Sequence, residues 1–193
     1  MRREIAALAG GLAVLAIAGG ASARDHAPAA PFPLALGGPF DLVGHDGRRR
    51  TERDFRGRYL LVFFGYASCE GMCPLNLARL ADVIDLLGPA GARVQPLFVS
   101  VDPARDTPER LAAFVAKLHP RLIGLTGTAA QTAAMAKAYG VTSRPVARAT
   151  DGGAILAHGL FTYLMGPDGR LLTLLPPVMD AETMAATIRR YMS

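Results

Sequence analysis

The sequence predicts an α/β domain in which a central mixed β-sheet is flanked by helices on both faces and preceded by an N-terminal β-hairpin. Two short, continuous apolar runs, Tyr59 to Phe64 and Val94 to Val101, are typical of buried central strands. A segment with helical periodicity follows each run, and this alternation indicates parallel strands joined by helical crossovers. The sequence Gly-Pro-Asp-Gly at positions 166–169 separates two later apolar runs and predicts an antiparallel hairpin in the same sheet.

Turn residues and helix-start signals place the first elements. Residues 40–43 alternate between apolar and polar and lead into the turn His45-Asp46-Gly47, which predicts the N-terminal hairpin. Apolar residues recur at helical spacing from Pro74 to Leu87, and proline suits a first helical turn because its missing N–H costs nothing there. Residues 106–109, Asp-Thr-Pro-Glu, combine a cap candidate, a proline and an acidic residue, so a second helix is predicted from there to about Leu118.

The same signals place the elements of the second half. A short strand is predicted at Ile123 to Leu125, and a helix from Thr128 to Tyr139 that Gly140 ends. The late hairpin has Leu160 to Met165 and Leu171 to Leu175 as its two strands. Asp180 is the predicted N-cap of a final helix that runs to Met192.

Composition excludes several classes of protein. The chain has 193 residues, of which 51% are hydrophobic, and this is enough for one folded domain. Its two cysteines are too few for a disulfide framework, and alone they cannot complete a four-ligand structural zinc site. The formal net charge is +5, but no aromatic residues interleave with the densest basic run, Arg48 to Arg50. We therefore expect no nucleic-acid partner.

The N-terminus has the pattern of an export signal. A basic pair, Arg2 and Arg3, precedes an uncharged stretch at residues 5–23 that ends in Ala-Ser-Ala. We expect residues 1–23 to be a signal peptide cleaved after Ala23 or an anchor in the inner membrane, and residues 24–38, rich in Ala and Pro, to be a linker. The domain at 39–193 is then extracytoplasmic, in the periplasm, where a cysteine pair can be oxidised to a disulfide.

The two cysteines are the first candidate site. Cys69 and Cys73 lie at the junction between a buried strand and a helix, where open α/β sheets place their chemistry. Residues four apart on a helical turn share a face, with Cα atoms about 6 Å apart, which allows a disulfide or joint coordination of one ion. A helix N-terminus favours the thiolate form, whereas the carboxylate of Glu70 disfavours it. The alternative is a pair of buried cysteines that happen to be neighbours.

His158 is the second candidate. It lies among apolar residues at the entry to the strand predicted from Leu160, and a histidine in that setting is often a core residue. Two thiolates and one imidazole would form a soft, three-coordinate site. Such a site selects Cu(I), whereas zinc requires a fourth ligand.

Taken together, the motifs of the chain resemble those of the Sco/SenC family, thioredoxin-fold copper-binding proteins that assist cytochrome c oxidase assembly. The resemblance covers nearly all of residues 37–192 and is carried by Asp54 to Gly57, Phe63 to Tyr66 with Cys69, Cys73 and Pro74, Ser100 to Pro103, Arg105 to Pro108, His158, Tyr163 to Leu164 and Pro167 to Gly169. It implies a thioredoxin-like fold with Cys69, Cys73 and His158 as copper ligands. It also implies a metallochaperone that delivers copper to the binuclear copper site of a cytochrome c oxidase subunit, or to another copper carrier.

The chain departs from the usual family pattern around these ligands. Glu70 replaces a proline, Ser68 stands where a histidine is frequent, and Ala157 and Gly159 replace the polar residues that usually flank the ligand histidine. The residues that orient the imidazole therefore differ from the family pattern, and outer residues of this kind influence metal affinity.

Two other functions remain open for the same residues. Cys69 and Cys73 can cycle between dithiol and disulfide, in which case the protein is an extracytoplasmic thiol-disulfide oxidoreductase or redox sensor. In that case the protein would be an enzyme, whereas a metallochaperone turns over no substrate and is not one. The third possibility is a binding module whose thiols have no role.

Asp102 and Met72 are further polar or sulfur-containing residues close in sequence to the predicted strand ends and cysteines. Asp102 is either a hydrogen-bonding partner near the site or a turn carboxylate before a proline, and Met72 is either an extra sulfur ligand or a packing residue. The other three histidines, His26, His45 and His119, are expected to be solvated and without a chemical role.

Overall fold

A computed structural model describes residues 35–69, 72–149 and 152–193, with the side chains of Met72 and Cys73 left undescribed. The predicted signal peptide or anchor at 1–23 and residues 24–34 of the predicted linker lie outside the described residues, as do His26 and Glu70. Within the described part of the chain, no helix is long and apolar enough to cross a membrane.

Nine strands and four α-helices make up the described part of the chain. The strands are β1 (Asp41–Gly44), β2 (Arg49–Thr51), β3 (Tyr59–Gly65), β4 (Val94–Ser100), β5 (Ile123–Thr126), β6 (Ser143–Arg148), β7 (Ala154–His158), β8 (Thr162–Met165) and β9 (Leu171–Leu175). The helices are α1 (Met72–Leu86), α2 (Pro108–Val115), α3 (Ala129–Ala138) and α4 (Ala181–Met192). Two short 3-10 helices, Glu52–Phe55 and Gly88–Arg93, precede β3 and β4.

Seven of the strands form one mixed sheet in the order β2-β1-β5-β4-β3-β8-β9. Its centre is parallel, with Phe63 of β3 beside Phe98 of β4 and Leu97 of β4 beside Ile123 of β5. On the other side of β3, β8 runs antiparallel and places Thr162 beside Phe63. The carboxyl end of β3 and the start of β8 therefore lie at the same edge of the sheet.

Apolar side chains from alternate positions of β3 enter two separate cores. Leu61 and Phe63 pack on one face of the sheet with residues of α1, α2 and α4. Leu60, Val62 and Phe64 pack on the other face with residues of α3 and the N-terminal hairpin. Both faces of β3 are covered, which explains why its sequence is a continuous apolar run rather than an alternation. The predicted fold class, a mixed sheet flanked by helices with an N-terminal β-hairpin, is confirmed.

Several predicted helix boundaries agree with the structure, whereas α1 begins two residues before the predicted Pro74 and α2 ends at Val115 rather than at about Leu118. Asp180 caps α4 through its side chain, which accepts the N–H of Thr183, and Gly140 ends α3 with a φ of 66°. The cap of α2 is Thr107, whose hydroxyl accepts the N–H of Arg110. Asp106 is fully buried and belongs to a different network, described below.

The hairpin formed by β6 and β7 was not predicted. These strands form a separate two-stranded sheet with a bulge between Pro145 and Ala147. Every residue of β6 is exposed, so no alternation of apolar and polar residues marks the strand. A proline also argues against a strand when it is read from sequence alone, because it cannot donate to a ladder. The structure thus adds a hairpin immediately before the late hairpin.

The last residues of the predicted linker contact the domain. Leu36 packs against the core that includes Phe64, and the N–H of Gly37 donates to the carbonyl of Ala138 over 2.9 Å. The division of the chain at residues 23 and 38 stays a prediction.

Candidate metal centre

Cys69 lies in the turn that leaves the carboxyl end of β3. Its N–H donates to the carbonyl oxygen of Tyr66 over 3.1 Å, which closes the turn. Its side chain is half-buried and packs, together with Ala67, against the core that contains α1 and α4. The turn thus presents one thiol at the edge of the central sheet.

Cys73 is the second residue of α1, and its side chain is not described. Helix α1 begins at Met72, two residues before the predicted start, so it includes Cys73, whereas Cys69 precedes it in the turn after β3. Pro74 does lie in the first turn of α1, as predicted. The side chain of Met72, the possible extra sulfur ligand, is also undescribed.

His158 is the last residue of β7, where it pairs with Ser143 of β6. It therefore ends a strand rather than entering one, which corrects the sequence-based prediction. Its imidazole makes edge contacts with two aromatic rings, Phe63 at 6.3 Å and Tyr66 at 5.9 Å between ring centroids. Both rings belong to the carboxyl-terminal end of β3 and the residue that follows it. His158 thus comes to the same edge of the sheet as Cys69.

The protonation state of His158 suits a metal ligand. Its Nδ1 lies 2.9 Å from the carbonyl oxygen of Gly159. Because a carbonyl can only accept, Nδ1 carries the proton in the neutral ring and the lone pair is on Nε2. Burial lowers the pKa of His158 below its ordinary value, although this hydrogen bond acts in the opposite direction. The imidazole is therefore neutral at pH 7, with a nitrogen that can ligate.

Tyr66 connects two of the predicted ligands. Its carbonyl accepts from Cys69, and its ring contacts His158. Among the described side chains, no three His, Cys, Asp or Glu residues gather as a metal site. The predicted third ligand, Cys73, has no described side chain, so the described part of the site consists of Cys69, His158 and the residues around them.

Asp102 acts through Arg105 rather than as a direct partner of a candidate ligand. Its carboxylate pairs with Nε of Arg105, and its own N–H donates to Oγ of Ser100 over 3.0 Å. The Arg105 guanidinium then reaches the carbonyl of Ala154 in β7, over 2.6 Å, and lies 5.7 Å from the ring centroid of Tyr66. Of the two interpretations of Asp102, the structure favours a hydrogen-bonding partner near the site.

Asp106, Tyr66 and Arg105 are site residues that the sequence analysis did not assign. The Asp106 carboxyl accepts hydrogen bonds from the N–H of Ala67 and the hydroxyl of Ser100. Burial raises its pKa above the ordinary carboxyl value, while these hydrogen bonds act against the rise. A signal was present, because all three residues closely follow the carboxyl ends of two buried strands.

Two of the histidines that were expected to be solvated make structural hydrogen bonds. Nδ1 of His45 accepts the N–H of Gly124 over 3.1 Å. Nδ1 of His119 accepts the N–H of Arg121, and its Nε2 lies 3.4 Å from a carboxylate oxygen of Asp85. The expectation of solvation is wrong for His119, whose side chain is 11% exposed, whereas His45 is partly exposed and also connects two segments of the fold.

The chain is similar to proteins of known family. A sequence model of the SCO1/SenC family matches residues 28–193. The human mitochondrial protein SCO1 homolog is 38% identical over 159 residues, which are 81% of this chain and 53% of the human protein. The chain therefore spans about half the length of that relative.

Solved structures agree with this assignment. The crystal structure of Arabidopsis thaliana ScoI with copper bound has a TM-score of 0.78 and 33% identity, covering 82% of this chain and 98% of that one. The structure of BsSco, a member of the Sco family of cytochrome c oxidase assembly proteins, has a TM-score of 0.64 and 24% identity, covering 83% of this chain and 95% of that one. The fold is thioredoxin-like, and the chain belongs to the SCO1/SenC family.

Proposed function

We propose that this protein is a copper-binding metallochaperone in which Cys69, Cys73 and His158 hold Cu(I) for transfer to the binuclear copper site of cytochrome c oxidase. The observation that carries the proposal is the convergence on Tyr66: its carbonyl accepts from Cys69, and its ring contacts the imidazole of His158. Helix α1 begins at Met72, three residues after Cys69, and its second residue is Cys73.

The donor chemistry supports copper as the cargo. Thiolate ligands select Cu(I) and zinc among the common ions, and a set of only three ligands leaves zinc one short. His158 is neutral at pH 7, so no proton has to leave the imidazole before it binds. A three-coordinate ion is also accessible to an incoming ligand, which suits transfer to an acceptor.

Relatives support the same cargo and destination. Copper is bound in the homologous structures from Arabidopsis thaliana, Bradyrhizobium japonicum and yeast. The Sco family to which BsSco belongs is one of cytochrome c oxidase assembly proteins. By likeness, we assign this chain to copper delivery during oxidase assembly.

Exposed apolar side chains support docking of an acceptor protein at this edge. Phe161 is 45% exposed and directly precedes Thr162, which pairs with both Phe63 and Leu175. Val178 is 87% exposed and lies three residues beyond Leu175. Contiguous exposed apolar surface is typical of protein–protein contacts, and Phe161 follows His158 by three residues. We assign Phe161 and Val178 to the surface that meets the acceptor.

The proposed location is outside the cytoplasm, with the domain in the periplasm. The support is the export pattern of residues 1–23, which also provides a route to membrane association. In that compartment the two thiols are exposed to oxidation. Copper binding then depends on a reductant that keeps Cys69 and Cys73 in the dithiol form.

An anaerobic Cu(I) titration of the reduced protein against a competing chelator tests the proposal. We expect one Cu(I) per wild-type chain and an affinity at least about tenfold lower for His158→Ala. His119→Asn is a matched control, because His119 pairs with Asp85 near the carboxyl end of α1 while Cys73 lies at its start. Equal affinities for wild type and His158→Ala would contradict the assignment of His158.

A thiol-disulfide oxidoreductase or redox sensor is the second candidate. It is favoured by the position of the cysteines, with Cys69 in the turn before α1 and Cys73 in its first turn, because a helix N-terminus stabilises thiolates. This function predicts rapid, reversible disulfide exchange in metal-free protein, unchanged in His158→Ala. A pair that glutathione buffers do not titrate reversibly would rule it out.

A further inference from the structure

The strand that carries His158 belongs to a small, separate sheet. β6 and β7 pair only with each other among the described strands, and all six residues of β6 are exposed. An isolated two-stranded hairpin is marginally stable in water. The position of the imidazole therefore depends on contacts between β7 and the rest of the domain.

Tyr66 makes the first of these contacts. It directly follows β3 and is buried, so its backbone is fixed by the central sheet. Its hydroxyl oxygen accepts the N–H of Leu156 over 3.2 Å, and its ring meets the imidazole of His158 edge-on, at an interplanar angle of 82°. One side chain thus contacts both the backbone of β7 and the ligand at its end.

Arg105 makes the second contact. Its Nη2 donates to the carbonyl of Ala154 over 2.6 Å, and its guanidinium lies 5.7 Å from the ring centroid of Tyr66. The Asp102 carboxylate pairs with Nε of the same guanidinium. Because Asp102 lies two residues after the last residue of β4, this ion pair fixes Arg105 at the end of that strand. Residues two apart in a strand present their backbone groups to the same edge. Tyr66 and Arg105 therefore hydrogen-bond to the same edge of β7, Tyr66 at Leu156 and Arg105 at Ala154.

We propose that Tyr66 and Arg105 form a clasp, a pair of positioning residues that hold β7 against the end of β3 and so place the His158 imidazole beside Cys69. The carbonyl of Tyr66 also closes the Cys69 turn, so the same residue locates both sides of the site. The inference rests on the proposed function, because it concerns the copper ligands of that site. Residues that orient a ligand in this way typically change metal affinity by about 10- to 100-fold when they are lost.

Tyr66→Phe tests the clasp because it removes the hydroxyl that accepts from Leu156 and retains the ring. We expect Cu(I) affinity to fall about tenfold. In a His158→Ala background the same substitution should have no further effect, since the clasp acts through His158. Tyr59→Phe is the matched control: Tyr59 is at the opposite end of β3, and its hydroxyl donates to the carbonyl of Tyr191. It should leave the affinity unchanged.

Arg105→Lys is the second variant. Lysine keeps the positive charge but lacks the planar guanidinium, which in Arg105 binds both the Asp102 carboxylate and the Ala154 carbonyl. We therefore expect a similar loss of Cu(I) affinity. Arg121→Lys is its control, because Arg121 binds the carbonyls of Gly91 and Val94 at the opposite end of β4. Far-ultraviolet circular dichroism identifies any variant that does not fold.

Amide hydrogen exchange in the metal-free protein separates the clasp from the proposed function. We expect the Leu156 amide to exchange faster in Tyr66→Phe than in wild type and at the wild-type rate in Tyr59→Phe. If wild type binds no Cu(I), the proposed function fails, and the exchange measurement still decides whether the clasp exists. Unchanged exchange at Leu156, or an affinity loss that persists in full in the His158→Ala background, would overturn the clasp.

Discussion

The carboxyl group of Asp106 accepts the backbone N–H of Ala67, two residues before Cys69, with 3.1 Å between the Ala67 nitrogen and Oδ2. The same oxygen accepts the Ser100 hydroxyl over 2.6 Å. Asp106 lies between β4 and α2, so it joins the loop after β4 to the Cys69 turn after β3. A fully buried carboxyl therefore determines the path of the turn that carries a proposed copper ligand.

Removal of this carboxyl should destabilise the fold. Asp106→Ala leaves the N–H of Ala67 and the hydroxyl of Ser100 without an acceptor, and we expect the free energy of unfolding to fall by about 1–3 kcal/mol. Urea denaturation measures the change. Asp82→Ala, on an exposed position of α1, is the control and should stay within about 0.5 kcal/mol of wild type. A wild-type midpoint for Asp106→Ala would contradict this role.

The pH dependence of stability should also report the protonation of the Asp106 carboxyl. Its pKa is raised in the folded state by burial, so the folded protein holds this proton more tightly than the unfolded chain does. The contribution of the neutral carboxyl is complete below the unfolded pKa and is lost as pH rises through the folded pKa. We expect the free energy of unfolding of wild type, relative to Asp106→Asn, to decrease across that window. An increase with pH in parallel denaturation series would refute the sign.

His158 should titrate below the ordinary histidine range. Burial lowers its pKa from 6.5, so the folded state disfavours the imidazolium. Stability from the neutral ring is present above the unfolded pKa and is lost as pH falls through the folded pKa. The Cε1 proton of His158, assigned by its absence in His158→Ala, should have an NMR titration midpoint below 6.5 in the metal-free protein. A midpoint above that value would disprove the shift.

The surface that contains Phe161 should determine the rate of copper transfer to the acceptor rather than the affinity of the protein for Cu(I). Phe161→Asp places a charge on an exposed apolar contact, and we expect copper transfer to an isolated oxidase copper domain to slow about tenfold, as for loss of an interface anchor. Cu(I) affinity should stay unchanged, because Phe161 is not one of the proposed ligands. Leu86→Asp, at the far end of α1 and 41% exposed, is the matched control. Equal slowing by both substitutions would point to a charge effect instead of a docking surface.

Much of the central fold could be predicted because its signals are local. A strand buried on both faces requires a continuous apolar run, and β3 and β4 show it. Helix caps depend on one side chain and the next three residues, which is why the cap at Asp180 was placed correctly. The hairpin of β6 and β7 has no such signal, since its strands contribute little to the core and its exposed face tolerates arginine and proline.

The residue types of the candidate site were determined by the sequence alone. The only two cysteines of the chain lie where a buried strand meets a helix, and His158 lies 85 positions downstream of Cys73. Their arrangement was decided by the tertiary structure. Tyr66 and Arg105 hold β7 at the end of β3, where His158 lies, and the Cys69 turn takes its path from the buried carboxyl of Asp106. These contacts join residues up to 90 positions apart, and such pairings depend on the packed sheet rather than on any pattern within one segment.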